Sequence, residues 1–288
     1  LGKRYGAKWA LRENTFAIPQ GRVCGLVGAN GAGKTTLLRM LAGLSRPSAG
    51  RAEVAGSPPA DDARFLGKIG YLAQDVPLYV RWSAEDHLRM GARMNPHWED
   101  GWSRDRLRAL RIPLDQRVGT MSGGQRAQVG LALALAKQPG VLLLDEPVAA
   151  LDPLARREFL STLSEAVADG ELTVMLSSHL VADLERVCDH LVVLAESRTM
   201  LAESLDEVLA SHRLLTAGQR DTRALERDHD VLRIERTRRQ VSVWVRLRGP
   251  LHDPNWQVAD LSLEDIMLAY LGRSTGQPAN DLLSEVSA

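Results

Sequence analysis

The chain has 288 residues, 44% hydrophobic and 25% charged, as in an ordinary folded protein long enough for one large and one smaller domain. Its 36 basic residues offset 36 acidic ones, so no global charge draws it to nucleic acid or anionic lipid. Cys24 and Cys188 stand apart and form no metal or redox motif, which suits a reducing cytoplasm, and no apolar run approaches the roughly 20 residues a membrane-spanning helix needs.

The opening Leu1-Gly-Lys-Arg-Tyr5 lacks the apolar stretch of a secretion signal, and its first residue is not Met. Residues 1–27 read as short strands joined by turns, the last of them leading into Gly28-Ala-Asn-Gly-Ala-Gly-Lys-Thr-Thr36. Leu37, Leu38, Leu41 and Leu44 then give a helix over 34–44 its apolar stripe. Strands are expected at 52–54 and 70–72. From Asp75 to Arg117 the pattern turns to helices: Ser83 with Asp86 forms a capping box for one running toward Met94, and Ser103 is placed to cap another ending before Pro113. Ser122 begins a long helix over 125–137 that leads to the apolar strand 141–145. Residues 151–168 read as helix, 172–176 as a buried strand, 181–187 as a short helix and 191–194 as the last core strand. This alternation predicts an α/β fold with a largely parallel sheet covered on both faces. After Ser211 the composition shifts. Alternation over 241–247 marks a half-buried strand, with the arginines of 233–248 on its solvated face, and Ser262 with Asp265 caps a helix toward Leu271. Residues 211–273 therefore form a small α+β unit, and the polar stretch 274–288 a mobile tail.

Residues 28–36 match the phosphate-cradling loop G-x-x-x-x-G-K-[ST]. Gly28, Gly31 and Gly33, with Asn30 between them, bring backbone N–H groups against phosphate oxygens, and the helix entered at Lys34, Thr35 and Thr36 adds its positive end. Lys34 places a point charge between β- and γ-phosphates, and the Thr35 hydroxyl can coordinate Mg²⁺. The strand 141–145 ends in two acids: Asp145 is the expected anchor for that metal. Glu146 is the candidate to orient or deprotonate the attacking water. Ser122, Gly123, Gly124 and Gln125 stand at a helix start, where a hydroxyl and glycine amides form an anion site.

With these three elements in this order, residues 1–210 resemble the nucleotide-binding subunits of ATP-binding-cassette (ABC) transporters. Met121 stands where the family usually has Leu, a swap that conserves volume. The resemblance implies a phosphate-loop ATPase cassette with a mostly parallel core sheet, antiparallel N-terminal strands and a helical subdomain over 75–140. It implies that Ser122, Gly123, Gly124 and Gln125 cap the γ-phosphate of an ATP held by the second subunit of a homodimer. By similarity Tyr5 stacks on adenine and Gln74 touches Mg²⁺ and water. Asp152, in Ala150-Leu151-Asp152, belongs to a loop linking the two ATP sites, and His179 is a switch histidine at the γ-phosphate. The helical subdomain would dock on an integral membrane subunit, with Tyr79, Trp82, Trp98 and Trp102 as candidates for the groove or for the layer's own core. The segment 261–272 is similar to tails of exporter-type subunits, which implies export and a cytoplasmic protein held peripherally on the membrane through its partner. Three rivals are an ABC-type ATPase acting on DNA, a ribosome-associated factor and a non-hydrolysing regulatory module. Against them stand the lack of heptads between Thr36 and Met121 with zero net charge, the single cassette, and the intact set Lys34, Asp145, Glu146 and His179.

Overall fold

The structure, a computed structural model, describes residues 1–275. A hairpin of β1 (Lys3–Tyr5) and β2 (Lys8–Leu11) opens the chain. The central sheet is built from β3 (Val23–Val27), β4 (Ile69–Leu72), β5 (Val141–Asp145), β6 (Thr173–Ser177), β7 (His190–Ala195) and β8 (Arg198–Ser204). Its order is β4-β5-β6-β3-β7-β8, parallel throughout except for the antiparallel pair β7–β8. The sequences VCGLV, VLLLD and TVMLS are near-continuous apolar runs, as strands covered on both faces require. Successive side chains go to opposite sides. Leu142, Leu144, Val174 and Leu176 pack with Leu131 of α5 (Gly123–Ala136) and Phe159 and Leu163 of α6 (Pro153–Ala166). Leu26, Leu143 and Met175 pack with Leu37 and Leu38 of α1 (Lys34–Leu41).

β3 lies between β6 and β7, so the chain order reverses beside it. In sheets of this kind ligands bind off the C-terminal strand ends at that reversal. Gly28, Glu146 and Ser178 each follow directly on β3, β5 and β6, so the sequence delivers its phosphate loop, its acids and its histidine turn to one edge.

A short α2 (Ala63–Leu66) packs Phe65 with α1 on the sheet, whereas the helical layer contains α3 (Ala84–Met94), α4 (Asp100–Ala109) and α5, with Leu88, Leu107, Val129 and Ala132 in its own small core. The capping box of Ser83 and Asp86 is present at α3. The expected cap at Ser103 is not: α4 begins at Asp100, and Ser103 lies buried inside it, donating its hydroxyl to the Asp100 carbonyl. A serine satisfied within its own turn needs no helix end. The strand expected at 52–54 is also absent. Only an isolated bridge joins Val54 to Ser57, because Ala55 and Gly56 take positive φ and turn the chain back at once. Nor is 191–194 the last core strand, since β8 pairs with β7 through a two-residue turn with Glu196 at φ 49° and Ser197 at φ 65°. Such a turn needs positive φ at both central positions and normally carries Asn or Gly. Here the Ser197 carbonyl instead accepts from the Arg12 amide at 2.7 Å and the Asn14 side chain at 2.9 Å, which hold it.

After α7 (Val181–Val187) and α8 (Leu205–Ser211), the chain forms a four-stranded antiparallel sheet in the order β10-β11-β9-β12. Its strands are β9 (His212–Gly218), β10 (Asp230–Arg236), β11 (Gln240–Arg246) and β12 (Gln257–Asp260), with α9 (Arg223–Asp228) before β10 and α10 (Leu263–Thr275) at the end. Val241, Val243 and Val245 are buried with Leu215 and Trp256, as the alternation predicts. The opposite face is not simply solvated: Trp244 packs on the main core under the Arg233 guanidinium, 4.9 Å from its ring centre, and Arg246 pairs with Glu203. Ser274 and Thr275, read as tail, fall in α10, and 276–288 lie outside the described residues.

His212 joins this unit to the cassette. Its Nδ1 lies 2.7 Å from the Val208 carbonyl, so Nδ1 carries the proton, and Nε2 accepts from the Tyr270 hydroxyl at 3.0 Å. Burial lowers its pKa below the usual 6.5. The unfolded chain therefore takes up this proton at higher pH than the fold does, so stability is complete above about 6.5 and declines as pH falls below it. Denaturant midpoints measured between about pH 7.5 and 5.5 should show this slope, and His212→Leu should flatten it. An equal slope in the variant would refute the assignment.

Candidate functional site

The loop after β3 is shaped by close approach. A methyl group at Gly28 would sit 2.7 Å from the Leu194 carbonyl, and Gly33 stands at φ 109°, with a methyl there 2.6 Å from the Ala10 carbonyl. Gly33 is also the N-cap of α1 and offers no side chain, so the first helical N–H groups are left for an anion. Asn30, Gly31 and Thr35 are exposed along this loop, and Thr36 is half-buried. The β1–β2 hairpin lies against it through Ala10 and Leu11. Tyr5, on that hairpin, is exposed, with the Lys3 ammonium 5.2 Å from its ring centre.

Lys34 is buried, its side chain only 6% exposed, and its Nζ donates to the Gly28 carbonyl at 2.7 Å. The same Nζ lies 3.2 Å from Glu146 Oε1. Gln74, two residues beyond β4, donates from Nε2 to Glu146 Oε2 at 3.5 Å, and His179 Nδ1 lies 3.6 Å from that oxygen. Lys34 at the start of α1, Gln74 beyond β4 and His179 beyond β6 thus meet at the carboxylate of Glu146, which follows β5. Asp145, beside it, is fully buried. Burial, seconded by the Asp145 carboxylate, pushes the Tyr71 phenol up to about 12.

Sequence reasoning missed Ser177. Its hydroxyl donates to Asp145 Oδ1 at 3.0 Å and accepts from the Glu146 backbone N–H at 2.8 Å. A polar residue closing an otherwise apolar strand was the available signal.

Ser122 caps α5 with a full capping box: its Oγ accepts from the Gln125 amide, and the Gln125 side chain accepts from the Ser122 amide at 2.9 Å. Ser122 and Gly123 are exposed, whereas Gly124 faces Ala155 at the start of α6. Asp152 caps α6, accepting from the Leu154 and Ala155 amides at 3.0 Å each, so its side chain holds the loop as well as lying on it.

No group of three or more His, Cys, Asp and Glu side chains among the described residues can hold a metal by itself. Thr35, Gln74 and Asp145 offer a hydroxyl, an amide and a carboxylate. This sparse oxygen set fits Mg²⁺, which takes few protein ligands and completes its shell with phosphates and water.

A sequence profile described as "ABC transporter" matches residues 11–149. The chain is 32% identical to Nod factor export ATP-binding protein I of Paraburkholderia xenovorans across 94% of this chain and 95% of that protein. It is 38% identical to Phosphonates import ATP-binding protein PhnC 1 of Natronomonas pharaonis across 70% of this chain and 90% of the relative. A solved structure of an ATP-binding subunit of an ABC transporter matches with a TM-score of 0.66 at 30% identity, covering 73% of this chain and 90% of that one. Other curated relatives are longer, and the chain spans 66% of one Nod factor export protein and 58% of a molybdenum import protein. Because exporters and importers both match, the exporter-type assignment made from the tail narrows to the cassette common to both. No helix among the described residues is long and apolar enough to cross a membrane. With its phosphate loop, paired acids and capped Ser-Gly-Gly helix on one folded unit, this chain belongs to the ABC transporter family as one of its ATP-binding cassettes, a family of ATPases.

Proposed function

We propose that this chain binds and hydrolyses ATP as half of a dimer and so powers export through a separate membrane subunit. The convergence of Lys34, Gln74 and His179 on Glu146 carries this reading. The loop amides and Lys34 bind the β- and γ-phosphates, Glu146 takes the proton of the attacking water, and His179 steadies the γ-phosphate. Mg²⁺, when held by Thr35, Gln74 and Asp145, supplies neutralisation of phosphate charge. Tyr5 stacks on the adenine.

Ser122 and Gly123 present an exposed, capped helix start. A second copy brings that start onto the γ-phosphate, with Gly124 and Gln125 behind it and Asp152 in the adjoining loop. Closure completes the cage, and loss of the γ-phosphate reopens it. Ser122→Arg should bind ATP within about threefold of wild type yet lose turnover about 100-fold or more, the scale of a removed oxyanion donor. Mixing it with Glu146→Gln should restore about a quarter of wild-type turnover, since half the dimers are mixed and each has one intact site. No recovery on mixing would count against a shared site.

The membrane subunit docks on the helical layer. Pro77, Tyr79, His87, Met90, Met94 and Trp98 line a groove of about 220 Å³ there, and the Trp82 ring lies 4.7 Å from that of Tyr79. Trp102 is not part of this lining. Export is favoured because the match to a Nod factor export protein runs through the C-terminal unit, whereas the phosphonate import match covers 70% of the chain. The protein would thus sit on the cytoplasmic face of the membrane through that partner, without nucleic acid. ATP-driven uptake by inside-out vesicles carrying the co-purified membrane subunit tests the direction, and uptake only by right-side-out vesicles would reverse it.

A further inference from the structure

We propose that Ser177 is a positioning residue for hydrolysis, setting Asp145 and Glu146 with one hydroxyl. This rests on the reading of Glu146 as the residue that activates water.

Ser177 ends β6 directly opposite Asp145 in the parallel register. Its side chain is fully buried. A hydroxyl has one proton to give and lone pairs to receive. Here the proton goes to Asp145 Oδ1 at 3.0 Å, and a lone pair takes the Glu146 N–H at 2.8 Å. The first bond fixes the rotation of the Asp145 carboxylate. The second holds Glu146 at φ 46°, a left-handed backbone that is unfavourable for glutamate.

In this conformation the Glu146 side chain reaches Lys34, Gln74 and His179. Relaxation to an ordinary φ would swing the carboxylate away from all three. Ser177 also lies two residues before His179, so the anchor for the glutamate and the histidine that meets it share one short segment. Serine and threonine hydroxyls can make both bonds, whereas alanine and valine offer neither.

Threonine and valine have nearly the same shape and differ in the hydroxyl, so they separate positioning from packing. In the full chain, Ser177→Thr should keep turnover within about threefold of wild type. Ser177→Val should lower kcat about 10- to 50-fold, the scale of lost charge-assisted hydrogen bonds, with KM for ATP and the calorimetric Kd within about twofold. Ser177→Ala, which adds no bulk, should behave like the valine variant. Equal turnover in the Thr and Val variants would overturn the proposal. So would a loss in Kd as large as the loss in kcat, or an unfolded Val variant beside an active Ala variant. If wild type itself fails to hydrolyse ATP, the reading of the whole site falls first, and ATP binding by the three variants records that case separately.

Discussion

Glu146→Gln is expected to cut ATP turnover about 10³-fold, or about 4 kcal/mol in the barrier, while ATP affinity is kept or raised. Gln has the shape of Glu, so the backbone bond to Ser177 and the contact with Gln74 can persist. An amide cannot take a proton from water, so the loss falls on the chemical step. The rise in affinity is electrostatic. Glu146 places its negative charge 3.2 Å from Lys34 in a pocket where both side chains are largely buried. Removing that charge leaves the Lys34 cation free to meet phosphate and makes the pocket one unit more positive. Single-turnover kinetics and calorimetry separate the two effects. If two copies share the site, sedimentation should also show the variant persisting as a dimer in ATP. Turnover within about tenfold of wild type would remove Glu146 from its role.

The chemistry was legible in the sequence where it is local. Residues 28–36 place a strand, glycines, a lysine and a helix start in one continuous run, and Asp145 and Glu146 adjoin at a strand end. The capping boxes at Ser83 and Ser122 are likewise written within four residues. What escaped depends on partners distant in the chain. Ser177 reads as the first residue past a strand until β6 is placed beside β5, 32 positions away from Asp145. β8 was hidden because its turn uses Glu196 and Ser197 at positive φ, a conformation that neither residue type advertises and that contacts from Arg12 and Asn14 maintain. β9 and β10, with sequences HRLLTAG and DVLRIER, lack the clean alternation of β11, because their other face meets the main core or long arginines rather than water. Ser103 shows the opposite error, a residue with capping chemistry placed inside a helix that the surrounding packing had already begun.

Lys34→Ala is expected to weaken ATP binding by at least about 100-fold, or about 2.7 kcal/mol. The lost charge-assisted contacts to phosphate account for part of this, each being worth about 1.5–3 kcal/mol. The remainder comes from what stays behind. Without Lys34, the Glu146 carboxylate keeps Gln74 and His179 as its polar neighbours among the described residues, and it is only 13% exposed. That orphaned negative charge repels the phosphates and also destabilises the empty fold, since removing one partner of a buried pair leaves the other without compensation. The double variant Lys34→Ala, Glu146→Gln distinguishes the two contributions. If the orphaned carboxylate matters, adding Glu146→Gln should recover thermal stability and part of the lost affinity, a non-additive result expected of residues in direct contact. Calorimetry with ATP and thermal melts of the nucleotide-free chain read both quantities. A double variant no more stable than Lys34→Ala, and no tighter for ATP, would show that the 3.2 Å contact between Lys34 and Glu146 has no energetic weight.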